Sequence, residues 1–253
     1  LREVGQQYVD AVGNAFLQGE GFFVSVQGKK PLRAKSSRVS DRAYSRAGLR
    51  LVFALLCDPQ LAARPYRTMA QAADVSLGSV PAILADLERQ GRLAVAGRNR
   101  RCIASRPWLD DWSAAYARTL RPKSLHGRYA TKNLEGWEKW NLSDVGGKWG
   151  GEAAANLLTQ HLTPGIVTVY ATKQLGRFIA EHRLTTVDDD DPSANVELRA
   201  PFWGATLETY CLHAAVVSPV LVYADLLANG DARCRETADQ IYEHFLAQRF
   251  ALR

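Results

Sequence analysis

The sequence predicts an α+β protein, in which a β-hairpin precedes a small three-helix domain that is followed by a C-terminal α/β domain with a small sheet. Three observations carry this. Apolar residues recur at helical spacing between Leu49 and Leu87. Runs of β-branched and aromatic residues stand at 22–26, 93–95 and 166–170, each beside turn residues. Charge also changes sign along the chain: residues 1–132 hold 22 Lys+Arg against 10 Asp+Glu, and residues 133–253 hold 10 against 16. With 253 residues, 47% of them hydrophobic, there is enough chain to bury the cores of two domains.

Taken in order, residues 1–27 read as a hairpin or short meander, with Gly19-Glu20-Gly21 as the turn before Phe22, Phe23, Val24 and Val26. Residues 28–46, rich in Lys, Arg and Ser, read as a basic linker able to reach phosphates. A helix-rich domain then spans 47–105. Its first helix carries Leu49, Leu51, Val52, Leu55 and Leu56 and stops at Asp58-Pro59. A second helix, capped by Thr68, runs to Ala73, and Asp74-Val75 makes a turn. Ser76 caps a third, from Leu77 to about Gln90, with Val80, Ile83, Leu84 and Leu87 as its core stripe and Gly91 as its stop. Leu93-Ala94-Val95 and Cys102-Ile103 then form two strands around the turn Gly97-Arg98-Asn99-Arg100, the layout of a winged helix-turn-helix.

Residues 106–253 form the C-terminal α/β domain. A helix over 106–123, with Trp108, Leu109, Trp112 and Tyr116 on its apolar side, bridges into it and ends at Pro122. A helix from Glu152 to His161, strands at Ile166–Tyr170, in "NVELRAPFW" and in "AAVVSP", a helix opened by Ser218-Pro219 and a last helix from Ala232 to Ala247 complete the expectation.

Several classes are disfavoured. No stretch approaches the roughly 18 apolar residues of a membrane span. No secretory leader opens at Leu1, and a cytoplasmic location is expected. Leu1 in place of an initiator Met suggests that the chain begins inside a longer one. Cys57, Cys102, Cys211 and Cys234 show no metal-ligand spacing and are expected as reduced thiols. No Walker loop, G-x-G-x-x-G, G-x-S-x-G or H-E-x-x-H occurs, so neither cofactor nor metal is expected. Gly150-Gly151 precedes a helix but no strand is expected to lead into it, and Asp188–Asp191 reads as a solvated acidic loop. Asp225, Asp231, Arg233 and Glu236 are expected as a polar cluster between helices, with Asp231 as a cap.

The basic half contains the helix-turn-helix, which is the arrangement that phosphate neutralisation requires. Thr68, Ser76, Gly78 and Ser79 are small or hydroxylic residues suited to close approach to duplex DNA, and Arg92, Arg98, Asn99, Arg100 and Arg101 are suited to phosphates or the minor groove. One enzyme alternative has a specific motif. Asp10 followed by "VSVQGKK" resembles the hairpin of restriction-endonuclease-like nucleases, but Ser25 and Gln27 stand where a second carboxylate is needed to hold a divalent metal, so the element reads as degenerate.

Five segments together resemble AbiEi-type proteins, the transcriptional-regulator antitoxins of type IV toxin-antitoxin systems. They are "YVDAVGNAF", "YRTMAQAADVSLGSVPAILADLERQGRL", "WLDDWSAAYARTLRPK", "WGGEAAANLLTQHLTPGIVTVYA" and "LVYADLLANGDARCRETADQIY". The resemblance implies a sequence-specific DNA-binding repressor acting on its own operon. It further implies a C-terminal domain that counters a nucleotidyltransferase-like toxin without necessarily binding it. Trp149, Gly150, Gly151, Glu152, Tyr223 and Asp225 match the family's C-terminal blocks, with no role assignable from their chemistry. Residues 1–65, ahead of the helix-turn-helix, depart from the simplest members, and oligomerisation on DNA stays open.

Overall fold

The computed structural model describes residues 7–9, 15–19, 22–26, 42–97, 99–210 and 215–251. The chain divides into two units, Leu1–Asp41 and Arg42–Arg253. In the first, β1 (Tyr8–Val9), β2 (Ala15–Gly19) and β3 (Phe22–Val26) form an antiparallel meander in that order. Phe16 is buried and meets Phe23 edge-on at 5.9 Å, while Phe22 and Phe23 remain more than half exposed. Of the nuclease-like pattern, Ser25 lies exposed on β3; Asp10 and Gln27 lie outside the described residues, as do residues 27–41, most of the expected linker.

The linker expectation ends too late. Arg42–Tyr44 form a 3-10 turn and Ser45 caps α1 (Arg46–Cys57), its hydroxyl accepting from the Gly48 N–H at 3.1 Å. The turn is held because Asp86, fully buried, accepts the Ala43 N–H at 2.9 Å and pairs with Arg89. α1 is apolar nearly all round, with nine buried residues, as befits a helix packed on several sides. Asp58 ends it and caps the following 3-10 turn, Pro59–Ala63.

α2 (Tyr66–Ala73) starts at Pro65, so Thr68 lies within its first turn and does not cap it. Asp74, at φ 49°, closes it in the left-handed region. Ser76 is not a side-chain cap either: its hydroxyl meets that of Ser79 at 2.6 Å. Pro81 lacks the N–H that would reach the Leu77 carbonyl, so the segment Leu77–Ser79 tightens to 3-10 geometry before α3 (Val80–Arg89). The stripe Val80, Ile83, Leu84 and Leu87 is buried, and Gly91 at φ 69° lets the Arg92 N–H return to the Leu87 carbonyl at 2.9 Å. β4 (Leu93–Ala96) and β5 (Asn99–Cys102) pair with Ala96 opposite Asn99. Asn99 and Arg100, expected in the turn, therefore belong to a strand, because the ladder closes on a two-residue loop.

α4 (Arg106–Thr119) runs through the middle of the second unit and breaks at Leu120, where Pro122 opens the short α5 (Arg121–Ser124) instead of ending the longer helix. The five-stranded sheet has the order β7-β8-β10-β6-β9: β7 (Lys148–Gly150), β8 (Val167–Tyr170), β10 (Val196–Arg199), β6 (Leu125–Ala130) and β9 (Thr185–Val187). β8 and β10 are parallel, and the other pairings are antiparallel. α6 (Gly151–Thr159), α7 (Leu175–Glu181), α8 (Pro219–Asn229) and α9 (Ala232–Ile241), which continues through a π turn into α10 (Ala247–Ala251), complete the unit. The strand expected in "AAVVSP" is reduced to a bridge between Val216 and Trp149. Caps at Ser218 and Asp231 stand as expected, on the N–H groups of Val220 and Cys234.

One aromatic run crosses this unit. Phe53 of α1 stacks on Trp112 of α4 at 5.4 Å, Trp112 on Tyr116 at 5.1 Å, and Phe202, beyond β10, closes on both Phe53 and Tyr116. The boundary expected at 105/106 thus falls inside a shared core. A second joint brings the loop after β10 to α2: the Gly204 N–H donates to the Ala72 carbonyl at 2.9 Å, and a Cβ at Gly204 would lie 1.8 Å from the Gln71 carbonyl oxygen. Gly204→Ala is expected to lower the midpoint of urea unfolding by the equivalent of about 2 kcal/mol, since the contact is backbone on backbone and cannot yield by a rotamer change. An unchanged midpoint would mean that this joint carries no load.

Candidate nucleic-acid interface and buried polar network

The turn between α2 and α3 leaves Thr68, Ser76 and Gly78 exposed and Ser79 half-buried. A Cβ added at Gly78 would meet nothing within 4 Å, and Leu77 beside it is 49% exposed, a large apolar side chain with no core to enter. The hairpin's arginines divide into two kinds. Arg100 donates from Nε to the Ala62 carbonyl at 2.9 Å and from Nη2 to the Arg64 carbonyl at 2.8 Å, with its guanidinium 4.7 Å above the Tyr66 ring. Arg92 pairs with Asp111 at 2.8 Å and donates to the Ser105 hydroxyl at 3.3 Å. Both side chains hold the hairpin to its neighbours. Asn99 and Arg101 are exposed on β5, and Arg98 lies outside the described residues. Exposed Arg64 and Arg67, which the sequence reading did not single out, flank the start of α2.

The residues of the C-terminal blocks occupy the interior. Asp225 of α8 accepts the Tyr116 hydroxyl at 2.8 Å on one carboxylate oxygen and the Tyr170 hydroxyl at 2.9 Å on the other, with Arg121 Nε 3.5 Å away. The two hydroxyls also meet at 2.9 Å. Burial, reinforced by the Asp225 charge, pushes both phenols well above their ordinary pKa. Beside them, two charged residues of the central strand β10 are buried: Arg199 donates to Glu197 Oε2 from Nε at 2.9 Å and Nη2 at 2.6 Å, and Arg128 lies 3.0 Å from the other oxygen. Burial opposes the Glu197 charge, but Arg199, Arg121 and Arg128 outweigh it and hold the carboxyl below its usual range. The only hint of this in the sequence is the charged pair inside "VELR", flanked by strand formers.

Glu152 opens α6 and is buried, accepting the Gly165 N–H at 2.8 Å and the Asn229 amide at 3.1 Å, with Arg233 at 3.8 Å. Gly150 and Gly151 are packing glycines: Cβ atoms there would lie 2.5 Å from the Tyr170 ring and 2.9 Å from the Thr168 hydroxyl, and Gly151 sits at φ 50°. Contrary to expectation, a strand, β7, does lead into them. Trp149 meets Trp137 edge-on at 4.8 Å, and the Tyr223 hydroxyl donates to Asp110 at 2.6 Å. Asp225 therefore belongs to the tyrosine network and not with Asp231, Arg233 and Glu236; Glu236 instead faces His161 at 3.4 Å.

Cys57, Cys102 and Cys234 are buried, with Cys211 outside the described residues; burial pushes the Cys102 and Cys234 thiols up to about 12. Among the described residues there is no group of three potential metal ligands, and no helix is long and apolar enough to cross a membrane.

The α2–α3 turn thus presents a small, exposed surface, and β5 beside it carries Asn99 and Arg101 outward. Residues 101–247, more than half of the chain, match the family model described as transcriptional regulator, AbiEi antitoxin, type IV TA system, and the chain belongs to that family. No curated protein and no solved structure matches it. The matched region begins at β5, so it contains the polar network and leaves the α2–α3 turn outside.

Asp225→Ala is expected to cost about 3–5 kcal/mol in chemical denaturation, because it strands two tyrosine hydroxyls and Arg121 without their partner. The pH dependence follows from the raised phenols. Their contribution is intact below the unfolded tyrosine pKa of 10.0 and is lost as pH rises from there through the folded values. Tyrosinate absorbance should show a class of tyrosines that ionises only with alkaline unfolding, and complete ionisation in the folded protein would refute the network.

Proposed function

We propose that residues 47–105 act as a winged helix-turn-helix that binds duplex DNA at an operator and represses transcription. In this reading the start of α3 enters the major groove and the β4–β5 hairpin lies along the backbone. The observation that carries it is the empty space at Gly78 within an exposed Ser-Leu-Gly-Ser turn. Small residues there admit a groove wall to backbone distance, and the Ser76 and Ser79 hydroxyls can donate to phosphate or base edges. Thr68, Asn99 and Arg101, with Arg98, supply the remaining contacts, while Arg92 and Arg100 hold the wing in place. The excess of 22 Lys+Arg over 10 Asp+Glu in residues 1–132 supports phosphate binding.

Membership of the AbiEi antitoxin family supports placing this repressor in a type IV toxin-antitoxin pair, opposite a nucleotidyltransferase-like toxin and in the cytoplasm. The C-terminal sheet and its helices would then carry the antitoxin role, and the residues matching the family blocks would serve it by holding that framework rigid.

Gly78→Phe should leave the unfolding midpoint unchanged and weaken binding to promoter DNA at least tenfold in a mobility-shift assay. Arg101→Ala should weaken binding about equally on all sequences and reduce the salt-dependence slope by about 1. Full binding by Gly78→Phe would show that the α2–α3 turn does not face DNA. Loss of binding to one sequence alone by Arg101→Ala would assign that residue to base reading.

A further inference from the structure

Two adjoining recesses lie apart from the features described so far. One, of ≈ 380 Å³, is lined by Trp140, His182, Asn133, Glu181 and Arg183. The other, of ≈ 710 Å³, includes Lys132, Thr185 and Asn195, with Asn133 and Arg183 again. The two shared residues join them into a single groove at the β6–β9 side of the sheet, within the size range of small-molecule sites.

Its parts are preformed. Asn195 clasps Thr131, accepting the Thr131 N–H at 2.9 Å and donating to the Thr131 carbonyl at 2.8 Å, and the Thr131 hydroxyl accepts the Asn133 N–H at 3.2 Å. That clasp sets the loop presenting Lys132 and Asn133. At the other end His182 stacks on Trp140, with centroids 4.5 Å apart and planes at 19°, and both rings are only partly buried. Burial lowers the His182 pKa, so the stacked ring is neutral near neutral pH. Lys132 and Arg183 are exposed, and among the described residues neither has a carboxylate within ion-pair distance. The groove thus offers a π surface and the Glu181 carboxylate at one end, Lys132 at the other, and Arg183 and the Asn133 amide at the junction between them.

We propose that this groove binds a nucleotide, with the base against the His182–Trp140 pair and the phosphates between Lys132 and Arg183. A small inorganic anion would leave the aromatic end empty, and an acidic peptide would have no use for it. Base stacking on aromatic side chains and charge-assisted phosphate contacts are the two interactions for which this pairing of residue types is suited.

The test is calorimetric titration of the full chain with ATP, GTP, CTP and UTP, and separately with adenosine and inorganic phosphate. Arg183 offers a clean variant. It sits at φ 50°, where glycine is at ease, so Arg183→Gly removes the cation and relieves the backbone. Lys132→Gln removes the other cation at an exposed position. At least one nucleotide should bind the wild type, and each variant should bind it at least tenfold more weakly with a thermal midpoint equal to or above that of the wild type. Adenosine and phosphate alone should each bind at least tenfold more weakly than the best nucleotide. No binding by any nucleotide at millimolar concentration, or equal binding by wild type and both variants, would overturn the proposal. So would phosphate binding as tightly as a nucleotide.

Discussion

The Asp225 carboxylate is the constraint on which the second unit is built. A buried carboxylate with no partners would be prohibitively expensive, and Asp225 is 2% exposed. Its partners come from three places far apart in sequence: Tyr116 on α4, Tyr170 on β8 and Arg121 on α5. Satisfying it therefore sets the position of α8 against both the sheet and the central helix. The same Tyr116 ring continues the stack through Trp112 to Phe53, so the constraint extends from the sheet to α1 and the helices that pack on it.

This explains why the residues that match the family's blocks lie in the interior and not on a surface. Gly150 and Gly151 allow β7 and α6 to approach β8, and Glu152 ties α6 to the Gly165 turn and to α8. Buried polar groups that must meet particular partners penalise alternative packings more sharply than apolar contacts do. A framework of this kind suits a protein whose surfaces have to be presented in a defined geometry.

The helix-turn and hairpin follow a different logic. Arg100 and Arg92 are drawn inward by carbonyls, an aromatic face and Asp111, which fastens the hairpin but takes those two charges out of play. Asn99 and Arg101, alternating with Arg100 along β5, are left outward by the two-residue period of a strand. Leu77 falls three residues before Val80, at the stripe's own spacing, yet is exposed together with Gly78, because Leu77–Ser79 forms a 3-10 turn ahead of α3.

Periodicity and turn chemistry in the sequence were enough for α1 to α4, the β4–β5 hairpin, α6, β8, α8 and α9, since these depend on local spacing, caps and glycine stops. The AbiEi resemblance was legible from combined segments, and so was the small, hydroxylic character of the α2–α3 turn. Strands β6 and β9 and helix α7 were not, because "LHGRYA" and its neighbours lack an apolar alternation and are held by ladders to β10. Which arginines of the hairpin are free was equally hidden: it depends on carbonyls at Ala62 and Arg64, more than thirty residues away. Sequence by itself determined the elements that rest on local spacing and caps, and the electrical polarity of this protein. Only the tertiary structure decided which charges are spent on the fold, because desolvation and partnering act between residues that the chain separates and packing brings together.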